Sequence, residues 1–82
     1  MKFIARLITN RTLEREVQKF APDLVNAEGV AREYLEAHGR KGDSFSIFDV
    51  SPVLVSIVSL VKRPSFGTPV TLIERVKEKE NG

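Results

Sequence analysis

Acid–base chemistry in this chain would depend on one histidine and two carboxylate pairs. These residues are His38, Glu14, Glu16, Glu33 and Glu36. A carboxyl group acts as a general acid or base near neutral pH only where an apolar environment raises its pKa. The first pair flanks an arginine and the second falls on the polar side of a predicted helix, so we expect both pairs to be solvated. We predict no catalytic residue and no enzyme activity.

Metal and cofactor chemistry has equally little support in the sequence. The chain has no cysteine and a single histidine, so the usual ligand set of a zinc site is missing. Gly39 and Gly42 flank an Arg-Lys pair, but they lack the spacing of a phosphate-binding loop. The sequence therefore predicts no metal site and no cofactor.

A second candidate chemistry is phosphate binding by a basic surface. If the N-terminal residues form a hairpin, four cations would line it: Arg6, Arg11, Arg15 and Lys19. Phe20 near the end of this hairpin could stack on a base. Two glutamates interleave the cations, so a solvated hairpin face is favoured over nucleic-acid binding. The same surface could also meet an acidic protein.

The elements that would position these groups follow from periodicity and turn residues. Alternating or β-branched runs predict strands, and Gly39 ends a run of helical spacing. The predicted strands are 2–9, 13–21, 44–50, 53–62 and 70–77, and the helix is 23–39. The order β-β-α-β-β-β predicts an α+β fold, a small and mostly antiparallel sheet with one helix packed on one face.

The segment 13–21 also fits a helix, since Leu13, Val17 and Phe20 have helical spacing. The short turn before it and Pro22 after it favour a strand. The alternative order β-α-α-β-β-β remains open at this point.

The main helix is predicted to have one apolar and one charged side. Ala27, Val30, Ala31, Tyr34, Leu35 and His38 fall on the first side. The charged side would carry Glu28 and Arg32 as a favourable i,i+4 pair. We expect His38 to interact with the carbonyl groups at the helix end, and Gly39 to adopt a left-handed conformation there.

The segment Val53–Val61 is apolar on both sides of a strand, and one helix covers only one face of a small sheet. Either loops and Phe45, Phe48 or Phe66 cover the second face, or another molecule does. Because exposed apolar patches mark interaction sites, we predict partner binding here. The predicted contact residues are Val53, Val55, Ile57, Val58 and Leu60.

The stretch "FAPDLVNAEGVAREYLEAHGRKGDSFSIFDV", residues 20–50, resembles small phage-encoded accessory proteins. In these proteins a strand ends in an Ala-Pro or Ala-Glu step, a helix of the "AE..A..YL" type follows, and a strand returns. The resemblance implies a host-modulating role through protein binding and assigns no functional residue.

Length and composition agree with this interpretation. Eighty-two residues with 41% apolar content predict one domain spanning 1–82, with a frayed charged tail at 78–82. No segment is long enough to span a bilayer, and the lack of cysteine fits a reducing compartment. We expect a cytoplasmic, non-catalytic module that binds another protein or forms a homodimer, with nucleic-acid binding as the alternative.

Overall fold

The computed structural model describes residues 2–76, so the predicted tail at 78–82 lies outside the described residues. Five strands form one antiparallel sheet in the order β2-β1-β3-β4-β5. The elements are β1 Phe3–Ile8, β2 Gln18–Ala21, α1 Leu24–His38, β3 Ser44–Asp49, β4 Leu54–Lys62 and β5 Val70–Arg75. The α+β prediction and its β-β-α-β-β-β order are confirmed.

The ambiguous segment 13–21 pairs with β1 as a strand over its last four residues only. The preceding residues form an irregular loop, in which Leu13 and Val17 pack against the core. Their helical spacing therefore reflects two separate core contacts, and the helical alternative is wrong.

Helix α1 has polar caps at both ends. The Asp23 carboxylate accepts a 2.8 Å hydrogen bond from the amide of Asn26, which satisfies a donor that the first turn leaves open. At the other end the Arg63 guanidinium donates to the carbonyl oxygens of Leu35 and Glu36, at 3.3 and 2.9 Å. The sequence predicted that His38 would contact the C-terminal carbonyl groups, but the side-chain hydrogen bonds to them come from Arg63.

Gly39 ends α1 for a different reason from the predicted one. Its φ is −72°, so it is not left-handed. A Cβ on Gly39 would lie 2.6 Å from the carbonyl oxygen of Leu35, closer than nonbonded atoms can approach. The absence of a side chain is thus required by a close approach of the backbone.

We predict opposite effects of alanine at the two helix glycines. Gly39→Ala should lower the free energy of unfolding because its Cβ meets backbone that cannot rotate away. Gly29→Ala should raise it by about 0.5–1 kcal/mol, since a Cβ at Gly29 meets nothing within 4 Å and glycine disfavours helix interiors. Urea denaturation of both variants measures the difference; equal changes would contradict this account.

The core lies between α1 and one face of the sheet. Ala27 and Ala31 let the helix approach the strands closely, and Leu35 fills the space beside them, each at 0% exposure. The Tyr34 ring packs edge-on against Phe45, with centroids 5.4 Å apart. The buried sheet residues beneath the helix are Ala5, Leu7, Ala21, Phe45, Ile47, Ser56, Val58 and Leu60.

One residue predicted for the charged side of α1 points into the protein. Glu28 is 4% exposed and faces the sheet, so its assignment to the solvated side is wrong. Arg32 consequently forms its i,i+4 ion pair with Glu36, at 3.0 Å, and not with Glu28. The Glu28 carboxylate can lie against the sheet because Ser56 and Arg75 donate hydrogen bonds to it there.

Candidate interaction surface

The face of the sheet opposite α1 carries no helix within residues 2–76, and we call it the open face. Residues paired across neighbouring antiparallel strands point to the same side, so the strand registers identify its members. The open face consists of Ile4, Arg6, Ile8, Gln18, Phe20, Ser44, Ser46, Phe48, Leu54, Ile57, Ser59, Leu72 and Glu74.

Large apolar side chains on the open face are only partly buried. Ile8 is 48% exposed, Phe20 51% and Leu72 49%. Ile4, Phe48 and Ile57 are intermediate in exposure. In a sheet with one solvated face, polar residues facing solvent usually alternate along each strand with apolar residues facing the core. The apolar residues of the open face depart from that pattern.

The phenylalanines proposed as an intramolecular cover are distributed differently. Phe45 lies in the core under α1 at 0% exposure, and Phe66 is 94% exposed in the β4–β5 loop. Only Phe48 belongs to the open face. An intramolecular cover by Phe45 or Phe66 is therefore absent from the described residues.

Strand β4 divides its apolar residues between the two faces. Val58 and Leu60 are 0% and 2% exposed beneath the helix, so their predicted role in partner contact is incompatible with this fold. Ile57 points to the open face, where a partner could reach it. Both sides of the strand are apolar because one side forms the core and the other forms an accessible surface.

A bulge changes the alternation at the start of β4. The register shifts between Ile47 and Phe48, so that Phe48 pairs with Leu54. An extra residue in one strand turns its neighbours towards different sides. Val55 consequently packs against the core, although the sequence placed it beside Ile57. Val53 precedes the strand and is half exposed at 50%.

The turn before β4 contains Pro52 and is held by Asp49. One carboxylate oxygen of Asp49 accepts hydrogen bonds from the amides of Ser51 and Val53, at 2.8 and 2.9 Å. Beside this turn, Ile4, Arg6, Phe48 and Pro52 line a cleft of about 160 Å³. The Arg6 guanidinium lies over the Phe48 ring, 5.9 Å from its centroid.

The predicted basic surface does not form one continuous patch. Arg6 is on the open face, whereas Lys19 pairs with Ala5 on the helix side and lies 5.6 Å from the Tyr34 ring centroid. Arg11 makes a 2.6 Å ion pair with Asp43, and Arg15 is exposed in the loop before β2. Alternation along the paired strands separates Arg6 from Lys19, and the loop position of the other two cations separates them from both.

Two buried carboxylates have polar partners that the sequence analysis missed. Glu28 accepts two hydrogen bonds from Arg75, at 3.0 and 2.8 Å, and one from the Ser56 hydroxyl at 2.7 Å. The Arg75 hydrogen bonds, opposed by burial, hold the pKa of Glu28 below its ordinary value. The residues of this cluster are 19 to 47 positions apart, so no local pattern indicates it.

Asp43 connects the loop after β1 to the turn after α1. Burial raises the pKa of Asp43, but hydrogen bonds from Thr9, the Arg40 amide and Arg11 outweigh it and leave the pKa below its ordinary value. Both carboxylate oxygens accept hydrogen bonds in this network, and Asp43 is 4% exposed. Asp43 therefore stabilises the loops and has no accessible position for a ligand.

The groups first considered for acid–base chemistry are separated in space or solvated. Glu14, Glu16 and Glu33 are exposed, and His38 is exposed beside the Tyr34 ring, with centroids 5.3 Å apart. Among residues 2–76, no three side chains of the types that bind metals lie together as a possible site.

No helix in the described part of the chain combines the length and apolar character needed to cross a membrane. Comparison with protein-family models, with curated proteins and with solved structures found no match.

Proposed function

We propose that this protein is a non-catalytic interaction module that binds a protein, either another chain or a second copy of itself, through the open face. The observation that carries the proposal is the set of half-exposed apolar side chains on that face, including Ile8, Phe20 and Leu72. A helix-covered sheet of this size needs only one apolar face for its own core. The second apolar face is available for burial against a partner.

The polar residues of the open face support the same proposal. The apolar side chains are interspersed with Ser44, Ser46 and Ser59. Their hydroxyl groups can form hydrogen bonds with water in the unbound protein. Serine is small and loses little conformational freedom on burial, so it does not prevent close packing with a partner. Such a mixture suits a surface that is alternately exposed and covered.

The resemblance of residues 20–50 to phage-encoded accessory proteins extends the proposal to the biological role. A small module without a catalytic centre would act there as a regulator or inhibitor, by occupying a surface of a host protein. We place this activity in the cytoplasm, where a chain without cysteines has no need of disulfides.

Site-specific photo-cross-linking in cells tests the proposal. A benzophenone amino acid at Leu72 would lie on the open face, and the same amino acid at Glu33 would lie on the exposed side of α1. We expect an adduct containing a protein from the Leu72 variant and none from the Glu33 variant.

The adduct also distinguishes the alternative function. An adduct that nuclease treatment removes would show that the open face binds nucleic acid and not protein. Equal adducts from both positions, or none from Leu72, would refute the open face as an interaction surface.

A further inference from the structure

The open face carries two opposite charges on one row across the sheet. Arg6 pairs with Ser46, Ser46 with Ile57, and Ile57 with Glu74, so the four residues lie side by side on β1, β3, β4 and β5. Arg6 and Glu74 occupy the two ends of this row. Both are exposed, and neither forms an ion pair with any residue between 2 and 76.

The adjacent row has a symmetric pattern of polarity. Ile8 pairs with Ser44, Ser44 with Ser59, and Ser59 with Leu72. The outer members are apolar and 48% and 49% exposed, while the two inner members are serines. Reversing the order of the strands leaves this pattern unchanged.

A two-fold axis within the interface, parallel to the strands and between β3 and β4, performs that reversal. It places β1 of one copy opposite β5 of the other, and β3 opposite β4. Arg6 then faces Glu74 of the second copy at two equivalent places, Ile8 faces Leu72, and Ser44 faces Ser59. Each of these two rows therefore meets its own complement, as an isologous contact requires.

The charges select this axis over the other face-to-face choice. A two-fold axis perpendicular to the strands, through the charged row, would place Arg6 opposite Arg6 and Glu74 opposite Glu74. Like charges facing each other cost free energy and oppose association. Sheets that pack face to face keep their strands within about 30° of each other, and both axes meet this requirement, so the charges decide between them.

We propose that the partner on the open face is a second copy of this chain, packed face to face about the strand-parallel axis, with reciprocal Arg6–Glu74 ion pairs fixing the register. This inference rests on the proposed function and names the partner of the same surface. In this arrangement Ile57 lies near the two-fold axis, where neighbouring side chains surround a contact and exclude water from it.

The dimensions of the face set the expected affinity. Four strands about 4.8 Å apart and six residues long span roughly 14 by 20 Å. This flat footprint of about 280 Å² per copy is well below the roughly 800 Å² per partner of a standard specific interface, so we expect a weak dimer that dissociates on dilution. The experiment must therefore cover a range of protein concentration.

Sedimentation equilibrium of the purified chain at about 10 μM to 0.5 mM, with charge-reversed variants, tests the arrangement. We expect the wild type to approach twice the monomer mass. Arg6→Glu and Glu74→Arg should each raise the dissociation constant by at least about tenfold, because each places like charges opposite each other twice. The double variant Arg6→Glu/Glu74→Arg should restore association.

Matched controls carry the same charge changes on the other side of the protein. Lys19→Glu and Glu33→Arg alter exposed residues on the helix side and should leave the dissociation constant unchanged. Circular dichroism of every variant should show the wild-type spectrum, since none of these side chains is buried.

The outcomes separate this inference from the proposed function. If the wild type stays monomeric at 0.5 mM while the Leu72 probe cross-links to a different protein, the homodimer is wrong. The proposed function as an interaction module would still hold. A dimer that the double variant fails to restore would overturn the proposed axis. A monomer with no cross-link from Leu72 would overturn both.

Discussion

Leu35→Ala is expected to destabilise the protein by about 2–5 kcal/mol, as other buried leucine truncations do. Leu35 is fully buried, at 0% exposure, between α1 and the sheet. The substitution removes core contacts and leaves a cavity that the surrounding alanines are too small to fill. Urea denaturation, monitored by circular dichroism, measures the loss.

Glu33→Ala is the matched control for this prediction. Glu33 lies on the exposed side of the same helix, so its replacement should change the free energy of unfolding by no more than about 0.5 kcal/mol. Similar losses in the two variants would mean that α1 does not present Leu35 to the sheet.

Glu28→Ala is expected to cost about 1–3 kcal/mol, mainly because the Ser56 hydroxyl is left buried without its acceptor. Ser56 is 0% exposed, so water cannot replace the lost carboxylate oxygen without entering the core. The double variant Glu28→Ala/Ser56→Ala should lose less than the sum of the two single variants. Additive losses would show that the 2.7 Å hydrogen bond contributes nothing.

The same carboxylate makes stability depend on pH in a defined direction. Because the pKa of Glu28 is lower in the folded than in the unfolded chain, its contribution is complete above the unfolded pKa and is lost as pH falls through the folded pKa. The wild type should therefore lose more stability than Glu28→Gln between about pH 5 and pH 3. Parallel pH profiles of the two proteins would contradict this assignment, since Asp43 contributes equally to both.

The sequence predicts the elements of this fold well because each has a local cause. The 3.6-residue spacing of Ala27, Ala31 and Leu35 and the Asp23 cap at the first turn determine the helix. The strands follow from β-branched residues and the turns between them. Prediction from local sequence fails at residues 9–17, where Leu13 and Val17 contact the core from an irregular loop.

The surface was predicted less completely than the fold because its members come from distant parts of the chain. An apolar strand indicates that a second face exists, but not which residues of β4 belong to it. Val58 and Ile57 are adjacent and equally apolar, and only the helix position assigns the first to the core. The alignment of Arg6 with Glu74 depends on three successive strand registers, which no spacing within the sequence reveals.

The strand order has a consequence for the order of events during synthesis. Strand β1 lies inside the sheet, and its second neighbour is β3, so Phe3 pairs with Asp49. Until the ribosome has added residues 22–49, the edge of β1 that faces away from β2 has no partner strand, and the apolar residues of the hairpin are uncovered. Closing this long-range contact is entropically slow compared with forming the hairpin or the helix. The nascent chain thus passes through an interval in which β1 is open to pairing with any other extended segment, and the emergence of β3 ends that interval.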